Sequence, residues 1–90
     1  MDINDKYITN YYKTIGSNLK KLRVSKGLTQ IQLSQAMNLK SVGLISQSEL
    51  YLNKQHLNLK HLYIVASILD CKIEDFFEGV DIAKVEELFD

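Results

Sequence analysis

Between residues 8 and 22 the apolar side chains Ile8, Tyr12, Ile15, Leu19 and Leu22 are spaced by four, three, four and three. That interval puts all five on one side of an α-helix and on no single face of a strand. One-sided spacing of this kind returns in almost every later segment, and the chain has no proline to interrupt it. No stretch alternates apolar and polar residues for long enough to form a strand. The pattern therefore predicts an all-α fold. The first helix is expected over about residues 5–25, ended by Gly27 in a C-terminal cap. Gly16 lies inside it and costs about 1 kcal/mol relative to alanine, which makes it a place for a break or kink.

Thr29 opens a second helix as N-cap, and Gln32 three residues later completes a capping-box pattern. Ile31, Leu33, Ala36 and Met37 supply its apolar positions, and Asn38 suits the left-handed residue that closes it. Ser41 or Lys40 opens a third helix that includes Val42, Leu44, Ile45, Ser48 and Glu49. Residues 53–58 are polar apart from Leu57 and read as a loop. Leu59, Leu62, Val65, Ala66 and Leu69 make a fourth stripe, and Ile73, Phe76 and Phe77 a short fifth. Beyond Gly79, the residues Val80, Ala83, Val85, Leu88 and Phe89 suggest a short terminal helix. No linker, repeat or low-complexity tract divides the 90 residues, so they form one domain.

Several function classes are excluded at this level. No apolar run approaches the roughly 20 residues needed to cross a bilayer. The N-terminus lacks the basic-then-apolar pattern of a signal peptide, which predicts a cytoplasmic protein. Cys71 is the only cysteine and has no partner for an internal disulfide. A chain of this size buries only about 60–65% of its unfolded surface, so it gains from pairing and does not easily enclose a substrate pocket. Net charge is zero, from 11 basic and 11 acidic residues, yet the two signs are separated. Residues 1–69 carry nine lysines and arginines against three acids, whereas residues 70–90 carry two lysines against eight acids. Such an asymmetry suggests a basic working surface with an acidic end held away from it.

The most informative segment runs from Ile15 to Phe77. Leu19-Lys20-Lys21-Leu22-Arg23-Val24-Ser25-Lys26-Gly27-Leu28 leads into Thr29-Gln30, then Leu33 and Ser34, then a turn and Ile45-Ser46-Gln47-Ser48-Glu49. Downstream comes Leu62-Tyr63-Ile64-Val65-Ala66-Ser67-Ile68-Leu69-Asp70-Cys71-Lys72-Ile73-Glu74-Asp75-Phe76-Phe77. These spaced positions closely resemble the helix-turn-helix domain of the Cro and phage-repressor (XRE) family. The resemblance implies a compact five-helix, lambda-repressor-like domain over residues 15–78. Residues 1–14 would extend its first helix, and residues 79–90 would follow as an acidic, helical tail. Two positions depart from the family's pattern. One surplus residue falls between Asn38 and Leu44, and Glu49-Leu50-Tyr51 replaces a frequent Glu-Arg-Gly, which implies a different exit turn.

In such a domain two short helices cross steeply, so small residues belong where they touch, here Ser34 and Ala36. Leu44, Ile45 and Ser48 would anchor the recognition helix, leaving Ser41, Val42, Gly43, Ser46 and Gln47 to meet base edges. Glutamine pairs with adenine and valine touches the thymine methyl, so an A·T-leaning site is expected. Phosphate contacts are expected from Thr29 and Gln30 at a helix start, from Lys40, and from Asn53, Lys54 and Gln55 in the loop. Lys60 and Arg23 complete that set. In the family the residue at the place of Gln30 also braces the recognition helix. Glu49 is expected to lock helix positions by pairing with Arg23 or a backbone amide.

A single small domain touches too few bases for useful affinity, so a homodimer on a near-palindromic double-stranded DNA site is expected. Ile73, Phe76, Phe77, Val80, Leu88 and Phe89 are the first candidates for its interface, and the first helix with Tyr7 and Tyr11 the second. The resemblance implies a bacterial or phage-encoded transcriptional regulator acting near its own gene, either a restriction–modification controller protein or a compact repressor. The alternative is a protein-interaction module or antitoxin of this fold whose tail binds a toxin or other protein. No catalytic constellation and no cofactor site is visible, and His56, His61 and Cys71 lack the further ligand a zinc site needs. The two histidines read as surface or phosphate-near side chains, Cys71 as a small core residue, and the Tyr7, Tyr11 and Tyr12 cluster as packing.

Overall fold

The computed structural model describes residues 2–89; Met1 and Asp90, the last acid of the tail, lie outside the described residues. The described residues form five α-helices: α1 Asp5–Ser25, α2 Gln30–Ala36, α3 Gly43–Ser48, α4 Leu59–Leu69 and α5 Val85–Leu88. Short 3-10 turns at Leu52–Lys54 and Ile73–Phe77 complete the fold. None of these helices is long and apolar enough to cross a membrane.

The α1 helix starts at Asn4, whose side-chain oxygen accepts the Lys6 N–H at 3.1 Å. It ends before Gly27, which adopts the left-handed φ of 75° that a side chain would resist. There is no break at Gly16. Instead the end of α3 lies directly on that glycine, and Ser48 and Glu49 carbonyl oxygens occupy the space a Cβ would need. Ile15 and Leu19 carry the buried face of α1 into the core, where Leu33, Ile45, Val65, Leu69 and Phe76 are almost fully enclosed. The α1 stripe also holds a polar residue that periodicity did not single out. Buried Asn18 donates both amide hydrogens, to the Phe76 and Glu78 carbonyls at 2.8 Å each, and so ties down the end of the second 3-10 turn.

The expected capping box of α2 is present: Thr29 Oγ1 accepts the Gln32 N–H at 3.0 Å and Gln32 Oε1 accepts the Thr29 N–H at 2.8 Å. Asn38 takes the left-handed conformation expected of it, with φ 60°. The α3 helix begins later than Ser41 or Lys40 would have placed it. Residues 40–42 are bends, Val42 stands at the cap, and Ser41 contributes only a long 3.4 Å contact from its oxygen to the Gly43 N–H. The surplus residue is thus absorbed in the turn, and α3 keeps six residues.

Asn58 caps α4 by accepting the His61 N–H at 2.7 Å, and Leu62, Val65, Ala66 and Leu69 form its buried face. Leu59 does not join them; it sits on the first turn with 82% of its surface exposed. Residues 73–77 make a 3-10 turn rather than a fifth α-helix, with Phe76 enclosed in the core. The terminal helix is shorter than its apolar spacing suggested, since residues 81–84 are irregular and only Val85–Leu88 is helical. This tail folds back onto the start of α1. The Asn4 N–H donates to the Leu88 carbonyl at 2.7 Å, Ile3 and Phe89 form an isolated antiparallel bridge, and the Tyr7 hydroxyl donates to Glu87 Oε2 at 3.1 Å. That bond to Glu87, helped by burial, raises the Tyr7 pKa above its usual value.

His61 gives the fold a pH dependence. Its Nδ1 is buried without a hydrogen-bond partner, and burial, with Lys60 beside it, holds the imidazole pKa below the ordinary 6.5. The unfolded chain therefore binds this proton more readily, and stability falls as pH drops below about 6.5. Urea unfolding at a series of pH values should show that loss, and His61→Gln should flatten the curve between pH 5 and 7 on the ordinary scale of histidine titration.

Candidate functional site

The centre of the site is a buried cluster joining three helices. Arg23 on α1 donates from Nε to Glu49 Oε2 at 2.6 Å and from Nη2 to Oε1 at 3.1 Å. Its Nη1 donates to the Leu28 carbonyl at 2.8 Å. Gln30, the first residue of α2, donates from Nε2 to Glu49 Oε1 at 2.8 Å. Glu49 closes α3, so its single carboxylate fixes the end of that helix against both α1 and α2. Arg23 and Glu49 are 8% and 4% exposed, and a fork-shaped guanidinium is the group suited to such a paired contact.

This arrangement corrects one expectation and refines another. Arg23 is not offered to a phosphate, because it is buried and three of its nitrogens are already engaged within the domain. Gln30 braces α3 through Glu49, by the Nε2 donation to its carboxylate. The close crossing of α2 and its neighbours depends on buried Ser34, whose hydroxyl donates to the Gln30 carbonyl at 2.9 Å. Ala36 is exposed and takes no part in it.

Ile45 and Ser48 are fully enclosed and anchor α3 as expected, with Leu44 half-buried beside them. Ser41 is exposed, whereas Val42, Gly43, Ser46 and Gln47 are half-buried. Because α3 starts at Gly43, Ser41 and Val42 belong to the approaching turn. The Ser46 hydroxyl donates to the Gly43 carbonyl at 3.3 Å, within the helix. Lys40 before the helix and Asn53, Lys54 and Lys60 after it are exposed, and no acid occurs between Leu50 and Leu69. Thr29 is exposed at the start of α2 and Gln55 is half-buried.

The exit turn differs from the family's in a definite way. Tyr51, where glycine is frequent, itself adopts the left-handed conformation at φ 53°, and Asn53 and Lys54 follow at 54° and 58°. Asparagine accepts such a backbone readily; tyrosine and lysine resist it. Stacking helps to hold Tyr51 there. Its ring lies 5.1 Å from that of Tyr12, which also stacks on His56 at 4.2 Å, both at 16°. Tyr12 meets Tyr11 edge-on at 5.0 Å, so these two pack as expected and His56 joins them, whereas Tyr7 bonds to Glu87 instead.

Of the residues expected at an intersubunit face, Phe76 is enclosed within its own domain and is unable to reach a partner. Phe77, Val80, Leu88 and Phe89 are half-buried, and Ile73 is 39% exposed. Cys71 is also half-buried, and its burial, with Asp75 and Asp70 nearby, raises the thiol pKa. Among the described residues no group of three or more His, Cys, Asp or Glu side chains is placed to hold a metal.

A sequence model described as helix-turn-helix matches residues 19–76, well over half of the chain. No curated protein matches the sequence significantly.

Proposed function

The chain belongs to the helix-turn-helix family of DNA-binding regulators, and from that premise we propose that it is a sequence-specific transcriptional regulator acting as a homodimer on a near-palindromic operator near its own gene. The observation that supports this reading best is the Arg23–Glu49–Gln30 cluster. It holds α3 rigidly by its buried end while Ser41, Val42, Gly43, Ser46 and Gln47 keep exposed or half-exposed surface, with Lys40 before them in the chain and Lys54 and Lys60 after. A duplex groove lined by phosphates complements that distribution.

In this reading Ser46 and Gln47 reach base edges from α3, with Gly43 permitting close approach and Ser41 and Val42 contacting from the turn. Gln47 favours adenine and Val42 a thymine methyl, so the site leans towards A·T. Thr29, Gln30, Lys40, Asn53, Lys54, Gln55 and Lys60 hold the sugar–phosphate backbone. The acidic tail, gathered at the start of α1, stays off the duplex.

Selection from a pool of randomised duplexes, followed by mobility shifts at two salt concentrations, tests this. One near-palindromic sequence should be enriched, and affinity should fall steeply with salt, by about 0.9 in log–log slope per phosphate neutralised. Gln47→Ala should cost about 1–3 kcal/mol on the selected site and relax its preference at one position, with Ser46→Ala affecting a neighbouring one. Enrichment of no sequence, with binding indifferent to both substitutions, would overturn the reading.

A further inference from the structure

Resting on the phosphate contacts proposed for Asn53 and Lys54, we infer that Tyr12 is the positioning residue of the loop 51–56, which it holds from α1 by stacking on both loop ends. Little else fixes the shape of this loop. Tyr51, Asn53 and Lys54 all take left-handed backbone, at φ 53°, 54° and 58°, in a segment without glycine. Side chains persist in that conformation only where their surroundings hold them. The leucines of the segment do not, since Leu50 and Leu52 are exposed and the next enclosed side chain is Leu57. Its backbone bonds are short-range: the Tyr51 N–H donates to the Ser48 carbonyl at 3.3 Å and the Gln55 N–H to that of Leu52 at 3.0 Å.

The aromatic rings supply the missing attachment. Tyr12 stacks on Tyr51 with centroids 5.1 Å apart and on His56 with centroids 4.2 Å apart, each pair within 16° of parallel. One ring thus meets the first and the last residue of the loop, with the strained Asn53 and Lys54 between them. Tyr12 is itself set by α1, where Tyr11 meets it edge-on at 5.0 Å. It stands one turn before Gly16, on which the Ser48 and Glu49 carbonyls lie. The spacing of Tyr12, Gly16 and Arg23 puts all three on one edge of α1, and that edge supports the chain from Ser48 to His56.

What this support provides is preorganisation. Asn53 and Lys54 are exposed and meet phosphates from a backbone already in place, so the loop need not be ordered at the moment of binding. Without the ring, Tyr51 and Lys54 relax out of a conformation that both resist, and the Lys54 ammonium leaves its phosphate. The effect is local. Lys40 precedes α3 and lies outside the stacked segment, so its own contact does not depend on Tyr12.

The test is a double-mutant cycle on the selected duplex, read by mobility shifts over a series of salt concentrations. Affinity is counted per folded molecule, from the thermal melt of each variant. Tyr12→Phe keeps the ring and should bind like wild type. Tyr12→Leu should weaken binding about tenfold and lower the log–log salt slope by about 0.9, the share of one phosphate. His56→Ala, which removes a ring outside the core, should move both quantities the same way. In the Tyr12→Leu background Lys54→Ala should cost almost nothing further, whereas Lys40→Ala should cost what it costs in wild type. A wild-type slope in Tyr12→Leu, or an equal cost of Lys54→Ala in both backgrounds, sinks the positioning role while DNA binding stands. A wild type that enriches no duplex removes the regulator reading itself, and this role with it.

Discussion

Glu49→Ala is expected to cost about 3–5 kcal/mol, enough to leave a domain of this size partly unfolded at room temperature. The carboxylate accepts from Arg23 twice and from Gln30 once inside the domain. Its removal leaves the Arg23 guanidinium buried at 8% exposure with only the Leu28 carbonyl as partner. An uncompensated interior charge is far costlier than the loss of a surface ion pair. Replacing both members by methionine should be much milder, because a buried ion pair and well-packed apolar side chains of similar volume often differ little. Urea denaturation of the two single variants and the double variant gives the coupling directly. A cost below about 1 kcal/mol for Glu49→Ala, the range of exposed pairs, would mean that the cluster does not organise the domain. The same variant should lose operator binding beyond its loss of stability, since the end of α3 is then fixed to neither α1 nor α2.

Gly16→Ala is expected to destabilise by about 3 kcal/mol and to lower the melting temperature by roughly 10–20 °C. The sign is the informative part. In an exposed helix interior this substitution stabilises by nearly 1 kcal/mol, because alanine is the better helix former. Here the added methyl overlaps the Ser48 carbonyl oxygen and lies 2.8 Å from that of Glu49, and neither is the end of a flexible side chain. The α3 helix must move away from α1, which also strains the Glu49 contacts. Gly43→Ala serves as the control. Its methyl would meet only the Ser41 hydroxyl, at an ordinary 3.6 Å, so it should be neutral or slightly stabilising. Calorimetry of both variants decides the matter, and a stabilised Gly16→Ala would show that α3 does not lie tightly on α1.

The two glycines show where sequence reading succeeds and where it stops. Gly27 sits just past a helical stripe, and its left-handed role follows from local sequence alone. Gly16 sits in mid-helix, where the same local rules see only a weak point, and its purpose is a neighbour more than 30 residues away in the chain. The capping box at Thr29 and the left-handed Asn38 belong with Gly27, since each concerns groups within a few residues. Arg23 stands between the two: the sequence offered it both to a phosphate and to Glu49, and burial against Glu49 decides for the second. Phe76 is similar, because an apolar residue in an acidic segment serves a core or an interface equally well until packing chooses.

Local sequence determined α1, α2 and α4 and the caps at Gly27, Thr29 and Asn38, and it carried the resemblance to the family, because periodicity and capping depend on groups that are near neighbours along the chain. It also separated the basic body from the acidic tail. Tertiary structure alone decided which charged residues remain available, which apolar ones stay uncovered, and where α3 starts. Those outcomes depend on long-range packing: a side chain's solvation and partners are set by whatever the fold brings against it. Leu59 makes the contrast plain, since its spacing assigns it to the buried stripe of α4 and yet it is exposed.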